Sequence, residues 1–116
     1  LDARDWEKSV ALNVTTTGKL IPFMAPLLGD AGHAVFFQDA TIGAKFHGAY
    51  GATKAAQINL VQTWAQESAN VGPHVHIVAP DAMPTATRAR FHPGEDREKL
   101  ASVHDQAAKI LAQLQL

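Results

Sequence analysis

The stretch that decides the fold runs from His33 to Ala79: HAVFFQDATIGAKFHGAYGATKAAQINLVQTWAQESANVGPHVHIVA. Its ends are two short apolar runs, His33–Gln38 and His74–Ala79, bounded by glycines and by Pro73. Runs of this length, rich in Val, Ile and Phe, read as buried strands. Between them, Asp39 to Gly48 reads as a loop punctuated by Gly43 and Gly48. From Ala49 to Asn70, Ala52, Ala55, Ala56, Leu60, Val61, Trp64, Ala65 and Ser68 make a wide helical face of small and apolar residues. Two strands joined by a long helix form a βαβ unit, whose crossover is right-handed in nearly all proteins.

Outward from this unit, Arg4 to about Leu28 is mostly helical in pattern, with Trp6, Val10, Leu12, Val14, Leu20, Ile21, Met24, Leu27 and Leu28 recurring at spacings close to three and four. Asp2 is placed to cap that helix, and Asp5 and Glu7 suit the positive end of its dipole. Thr15-Thr16-Thr17-Gly18 weakens its middle, Pro22 and Pro26 should bend its last turns, and Gly29-Asp30-Ala31-Gly32 stops it. Beyond Pro80-Asp81 lies a loop rich in Pro and Thr, and Glu95 to Leu116 reads as a terminal helix. The predicted order is helix, strand, helix, strand, helix. Two parallel strands are too few for a comfortable sheet, since parallel sheets are covered on both faces. The fold class expected is α/β, a partial doubly wound, Rossmann-like parallel sheet. The start at Leu1, without Met or an apolar leader, reads as a piece whose first strands are missing.

Composition narrows the function. The 116 residues carry 10 Lys plus Arg against 11 Asp plus Glu, a formal net charge of −1. That balance argues against a general nucleic-acid binder, which needs clustered positive charge. Cysteine is absent, which removes disulfides, thiol nucleophiles and Cys-based zinc sites, and suits a reducing, cytoplasmic setting. Apolar stretches are broken well short of the ~20 residues that span a membrane.

Tyr50-Gly51-Ala52-Thr53-Lys54 is the sharpest chemical feature. A Tyr and a Lys four apart share one helical face. A neighbouring ammonium stabilises phenolate and lowers the phenol from its usual value near ~10, so the tyrosine becomes a usable general acid or base. Other groups read more plainly. His74 and His76 share one face of a strand, as two metal ligands would, but no third ligand is evident and no metal site is expected. His47 lies near Tyr50 and reads as loop surface sooner than as the border of a substrate pocket. Arg88, Arg90, Arg97 and Lys99, interleaved with Glu95, Asp96 and Glu98, read as a solvated face sooner than as a phosphate site. Trp6 and Trp64 lie on apolar helical faces and suit a core or a subunit contact.

In order along the chain, Leu12-Asn13-Val14 with Gly18, Pro22-Phe23-Met24, Val35-Phe36-Phe37, the Tyr50/Lys54 pair, Val75-His76-Ile77-Val78-Ala79-Pro80 and Thr85 resemble the short-chain dehydrogenase/reductase family. Thr87 to Asp96 is similar to one bacterial branch of it. The resemblance covers essentially the whole chain and implies that residues 1–116 are the C-terminal catalytic part of a single Rossmann domain. It implies NAD or NADP as cofactor and a small carbonyl or alcohol as substrate. By resemblance, Tyr50 exchanges a proton with the substrate oxygen, and Lys54 holds the cofactor ribose and lowers the tyrosine pKa. Asn13 matches the asparagine that anchors a water in the proton relay. Pro80 and Thr85 match the segment that meets the nicotinamide end of the cofactor.

Three departures from the family pattern bear on activity. The serine that binds the substrate oxygen falls on Ala40, so Thr41 is the hydroxyl available in a shortened loop; its loss commonly costs ~3 kcal/mol of barrier. Asp81 stands where a glycine is usual, and its carboxylate is expected to crowd or repel an anionic dinucleotide. No G-x-G-x-x-G or related glycine-rich strand–turn–helix occurs in the sequence, so the phosphate cradle is absent and the isolated chain is expected to be inactive. The alternative is a non-catalytic interaction module. In the family the helices corresponding to Arg4–Leu28 and Ala49–Asn70 pair between subunits, and here their faces carry Trp64, Val61, Leu20 and Val14 beside small residues, so a homodimer or homotetramer is expected in either case.

Overall fold

A computed structural model of the chain describes residues 1–39 and 43–114. The element order is α1 (Ala3–Ser9), a π-helical segment (Val10–Thr15), α2 (Thr16–Leu28), β1 (His33–Phe37), α3 (Gly48–Ser68), β2 (His74–Val78), α4 (Ala86–Phe91), a 3-10 turn (Arg97–Lys99) and α5 (Val103–Leu114). The strands pair as a two-stranded parallel sheet within a mixed α/β arrangement, consistent with a partial Rossmann-like fold. Two compact units divide the chain, Leu1–Ile77 and Val78–Leu116.

In the first unit, Asp2 caps α1 as its position predicts, its Oδ1 accepting from the Asp5 amide at 2.9 Å. The first helix is interrupted where the sequence is weak. From Val10 to Thr15 the winding is wider, and the Thr16 hydroxyl donates back to the Ala11 carbonyl at 2.7 Å. A threonine hydroxyl competing for a helical carbonyl, beside β-branched neighbours, favours such a local widening. The helix continues through Pro22 and Pro26 and ends at Gly29, whose φ of 65° is available to glycine without steric cost.

α3 packs against α1, the π segment and α2. Its buried side is narrow: Val61 is fully buried, Ala49 and Trp64 nearly so, and the Trp64 ring meets Phe36 of β1 edge to face at 6.4 Å. The chain returns to the sheet at Gly72, with φ of 78°, where an added Cβ would collide with the Asp30 backbone. That close approach brings the His74 amide onto the Gly32 carbonyl at 2.9 Å and sets β2 beside β1.

The second unit differs from the expected single terminal helix over Glu95–Leu116. Asp96 caps only a short 3-10 turn, its side chain accepting from Glu98, and extended Leu100 ends it. The helix starts afresh at Val103, after Ser102 accepts from the Asp105 amide at 3.4 Å. The loop expected after Pro80 contains a helix, α4, capped by Thr85, whose hydroxyl accepts from the Arg88 amide at 3.1 Å. Among the described residues, no helix is long and apolar enough to cross a membrane.

Candidate functional site

Tyr50 and Lys54 occupy the first turns of α3, one turn apart as their spacing requires. Their surroundings are not those the sequence suggests. The Tyr50 hydroxyl donates to Asp39 Oδ2 at 2.9 Å, and Asp39 follows β1 by two residues. Burial, then this hydrogen bond and the carboxylate's charge, push the phenol up to about 12. A lowered phenol was expected from Lys54; burial, with the nearby carboxylate adding to it, reverses the sign by favouring the protonated form.

Lys54 Nζ donates to the Phe37 carbonyl at 2.9 Å and to Gln57 Oε1 at 2.7 Å. Burial lowers its pKa, and the charge of Asp39 partly opposes that. Gln57 in turn donates to Thr17 Oγ1 at 3.1 Å, which fixes the amide that holds the lysine. Lys54 is thereby anchored between the end of β1 and the first helix.

Asn13 sits in the π segment, and its Nδ2 donates to Thr53 Oγ1 at 3.0 Å. Thr53 is buried and its hydroxyl donates to the Ala49 carbonyl at 2.7 Å. The asparagine is thus tied to the residue preceding Lys54. Asn13, Tyr50 and Lys54 lie in one unit and on touching elements, whereas Pro80 and Thr85 belong to the second unit. Thr41 and Ala40, the two candidates for the substrate-oxygen position, lie outside the described residues.

Sequence reasoning missed Asp39, Thr53, Gln57 and Thr17. Gln57 carried a signal, since it follows Lys54 by three positions on the same helix. Asp39 carried none beyond being the first carboxylate after β1.

Asp81 has its partners within its own unit. Its carboxylate accepts from Gln106 Nε2 at 3.1 Å while its amide donates to Gln106 Oε1 at 3.0 Å, and Lys109 Nζ stands 3.6 Å away. The charge faces α5 within its own unit. Arg88 and Glu95 form a two-pronged ion pair at 2.8 Å, and the guanidinium holds the Glu95 carboxyl below its usual range. His74 and His76 are joined by His33: the His33 and His76 rings share a 2.9 Å N···N contact, and His33 stacks on His74 at 4.7 Å. Among the described residues, no group of three or more His, Asp or Glu side chains could hold a metal ion.

The donor set fits the ribose end of a nicotinamide nucleotide. An ammonium has three donors, and Lys54 uses two within the fold, which leaves one for a ribose hydroxyl. The fit does not extend to the phosphates, for which the sequence holds no glycine-rich turn.

A family model described as enoyl-(acyl carrier protein) reductase matches residues 1–112. Neither a curated protein nor a solved structure matches the chain significantly.

Proposed function

This chain belongs to the short-chain dehydrogenase/reductase family, and we propose that Tyr50 is its proton donor and acceptor in an NAD- or NADP-dependent interconversion of a carbonyl and an alcohol. The observation that carries the reading is the Tyr50–Lys54 pair at the start of α3, held from behind by Gln57 and by the Asn13–Thr53 contact. When bound, the nicotinamide supplies and accepts hydride. The remaining chemistry falls to the chain. Tyr50 gives its proton to the developing alkoxide, Lys54 binds the ribose, and Asn13 holds a water that resupplies the proton. Thr41 contributes the hydroxyl on the substrate oxygen, and Pro80 and Thr85 border the nicotinamide. The active form is a cytoplasmic homodimer or homotetramer.

The family description names an enoyl reductase, and hydride addition to an enoyl thioester also leaves charge on an oxygen that a phenol can stabilise. The test is therefore a panel of ketones, alcohols and enoyl thioesters offered to the full gene product with NADH or NADPH. Turnover of at least one, lost in Tyr50→Phe, is the expected result. No turnover of any would refute the enzymatic reading and leave the interaction module. Of the residues expected at that contact, Val61 and Trp64 are buried within the chain, so the second reading draws instead on exposed Trp6, Leu12, Leu20, Phe23 and Leu27 along the first helix.

A further inference from the structure

We propose that Asp39 is a substrate-selecting residue, favouring molecules that carry a hydroxyl or ammonium group on the carbon next to the reacting one. These are vicinal diols and amino alcohols in the oxidative direction, and hydroxy- and amino-ketones in the reductive one. The inference rests on Tyr50 being the proton-transferring group.

The geometry is direct. Tyr50 Oη and Asp39 Oδ2 lie 2.9 Å apart, so a molecule whose oxygen meets the phenol brings its neighbouring substituent against the carboxylate. The two heteroatoms of a gauche vicinal diol stand about one hydrogen-bond length apart, the same separation as the two protein oxygens. An ionised carboxylate only accepts hydrogen bonds, so the substituent must be a donor. An ammonium adds charge assistance, whereas a carboxylate or phosphate there is repelled. Asp39 is exposed and Tyr50 half-buried, which leaves the carboxylate open to an incoming group while the phenol is shielded. Lys54 does not take the substituent's place, because Phe37 and Gln57 hold its ammonium.

Bond changes stay at the reacting carbon. In oxidation its hydrogen leaves with two electrons to an oxidised nicotinamide, and the hydroxyl proton passes to the Tyr50 phenolate. The neighbouring hydroxyl or ammonium keeps its protons and donates one hydrogen bond to Asp39.

The test uses the full gene product with 2-aminocyclohexanol, 1,2-cyclohexanediol, cyclohexanol and 2-hydroxycyclohexanecarboxylate. The kcat/KM for the amino alcohol should exceed that for the hydroxy acid by about tenfold or more, and Asp39→Asn should bring the ratio toward one. Asp39→Ala should also remove the advantage of the diol over cyclohexanol. A binding readout accompanies turnover: the Tyr50 ring resonance, assigned by its loss in Tyr50→Phe. With NAD or NADP present, the Cζ resonance of 13C-labelled Tyr50 should shift saturably on adding 2-aminocyclohexanol, and not in Asp39→Ala. Equal kcat/KM for amino alcohol and hydroxy acid, a ratio untouched by Asp39→Asn, or an unmoved resonance overturns the selectivity. Full turnover in Tyr50→Phe would instead refute the role of Tyr50 itself, so the two failures are distinct.

Discussion

The Tyr50 hydroxyl donates to the Asp39 carboxylate at 2.9 Å, and this contact reinforces what burial already does to the phenol. Burial first, then the carboxylate, push the phenol up to about 12, so at neutral pH Tyr50 is an acid holding its proton. Proton donation to a developing alkoxide is favoured over proton abstraction from an alcohol. Reduction should therefore proceed well near pH 7, and oxidation should keep rising with pH into the alkaline range.

Because the chain has a single tyrosine, its ionisation can be read without ambiguity by phenolate absorbance or 13C resonance. The midpoint should lie near 12 in the native chain, and Asp39→Asn should lower it only part of the way, because burial, the larger cause, remains. The stability consequence has a definite sign. The folded state binds the phenolic proton more tightly than the unfolded state, so this contribution is fully present below pH ~10 and is lost as pH rises toward 12. Urea midpoints measured across that window should fall less steeply in Asp39→Asn.

The Asn13–Thr53 contact should matter to stability apart from any role in proton transfer. Thr53→Val leaves the Asn13 amide without its partner in a part-buried place and should cost about 1–3 kcal/mol in urea unfolding. Thr53→Ser keeps the hydroxyl and should recover most of that loss. Equal losses in the two variants would show that the methyl group, not the hydrogen bond, is what counts.

Packing of α3 on the first helix should be sensitive at one point. Val61 is fully buried, so Val61→Ala should destabilise by about 2 kcal/mol. Leu12 is 57% exposed, and Leu12→Ala should change unfolding by less than about 0.5 kcal/mol in a monomeric sample. A large effect at Leu12 would mean that this face is covered in solution.

Thr85 has a structural duty that can be separated from its proposed place beside the nicotinamide. As the cap of α4 it accepts from the Arg88 amide, and Thr85→Ala should cost about 1 kcal/mol. Hydrogen exchange at that amide should quicken in Thr85→Ala and stay slow in Thr85→Ser.

Both strands were legible to within a residue, because short apolar runs between glycines admit few other readings. Asp2 as a cap and the Tyr50–Lys54 face followed from local spacing alone. The π segment was not legible: the Thr15–Thr17 run announced weakness, but which carbonyl the Thr16 hydroxyl takes depends on the packed helix. The terminal helix was drawn eight residues too long, since Asp96 and Ser102 are equally good caps in sequence and only extended Leu100 separates them. The sign of the Tyr50 shift was missed for a similar reason. Lys54 is near in sequence, whereas Asp39 reaches the phenol only because β1 ends beside α3.

Turnover by the full gene product and its Tyr50→Phe variant, each with NADH and NADPH on the same carbonyl, tests the central claim most directly. The parent should reduce the carbonyl measurably, and kcat should fall about a hundredfold or more when the phenolic proton is removed. An active parent whose kcat is unchanged by Tyr50→Phe would contradict it.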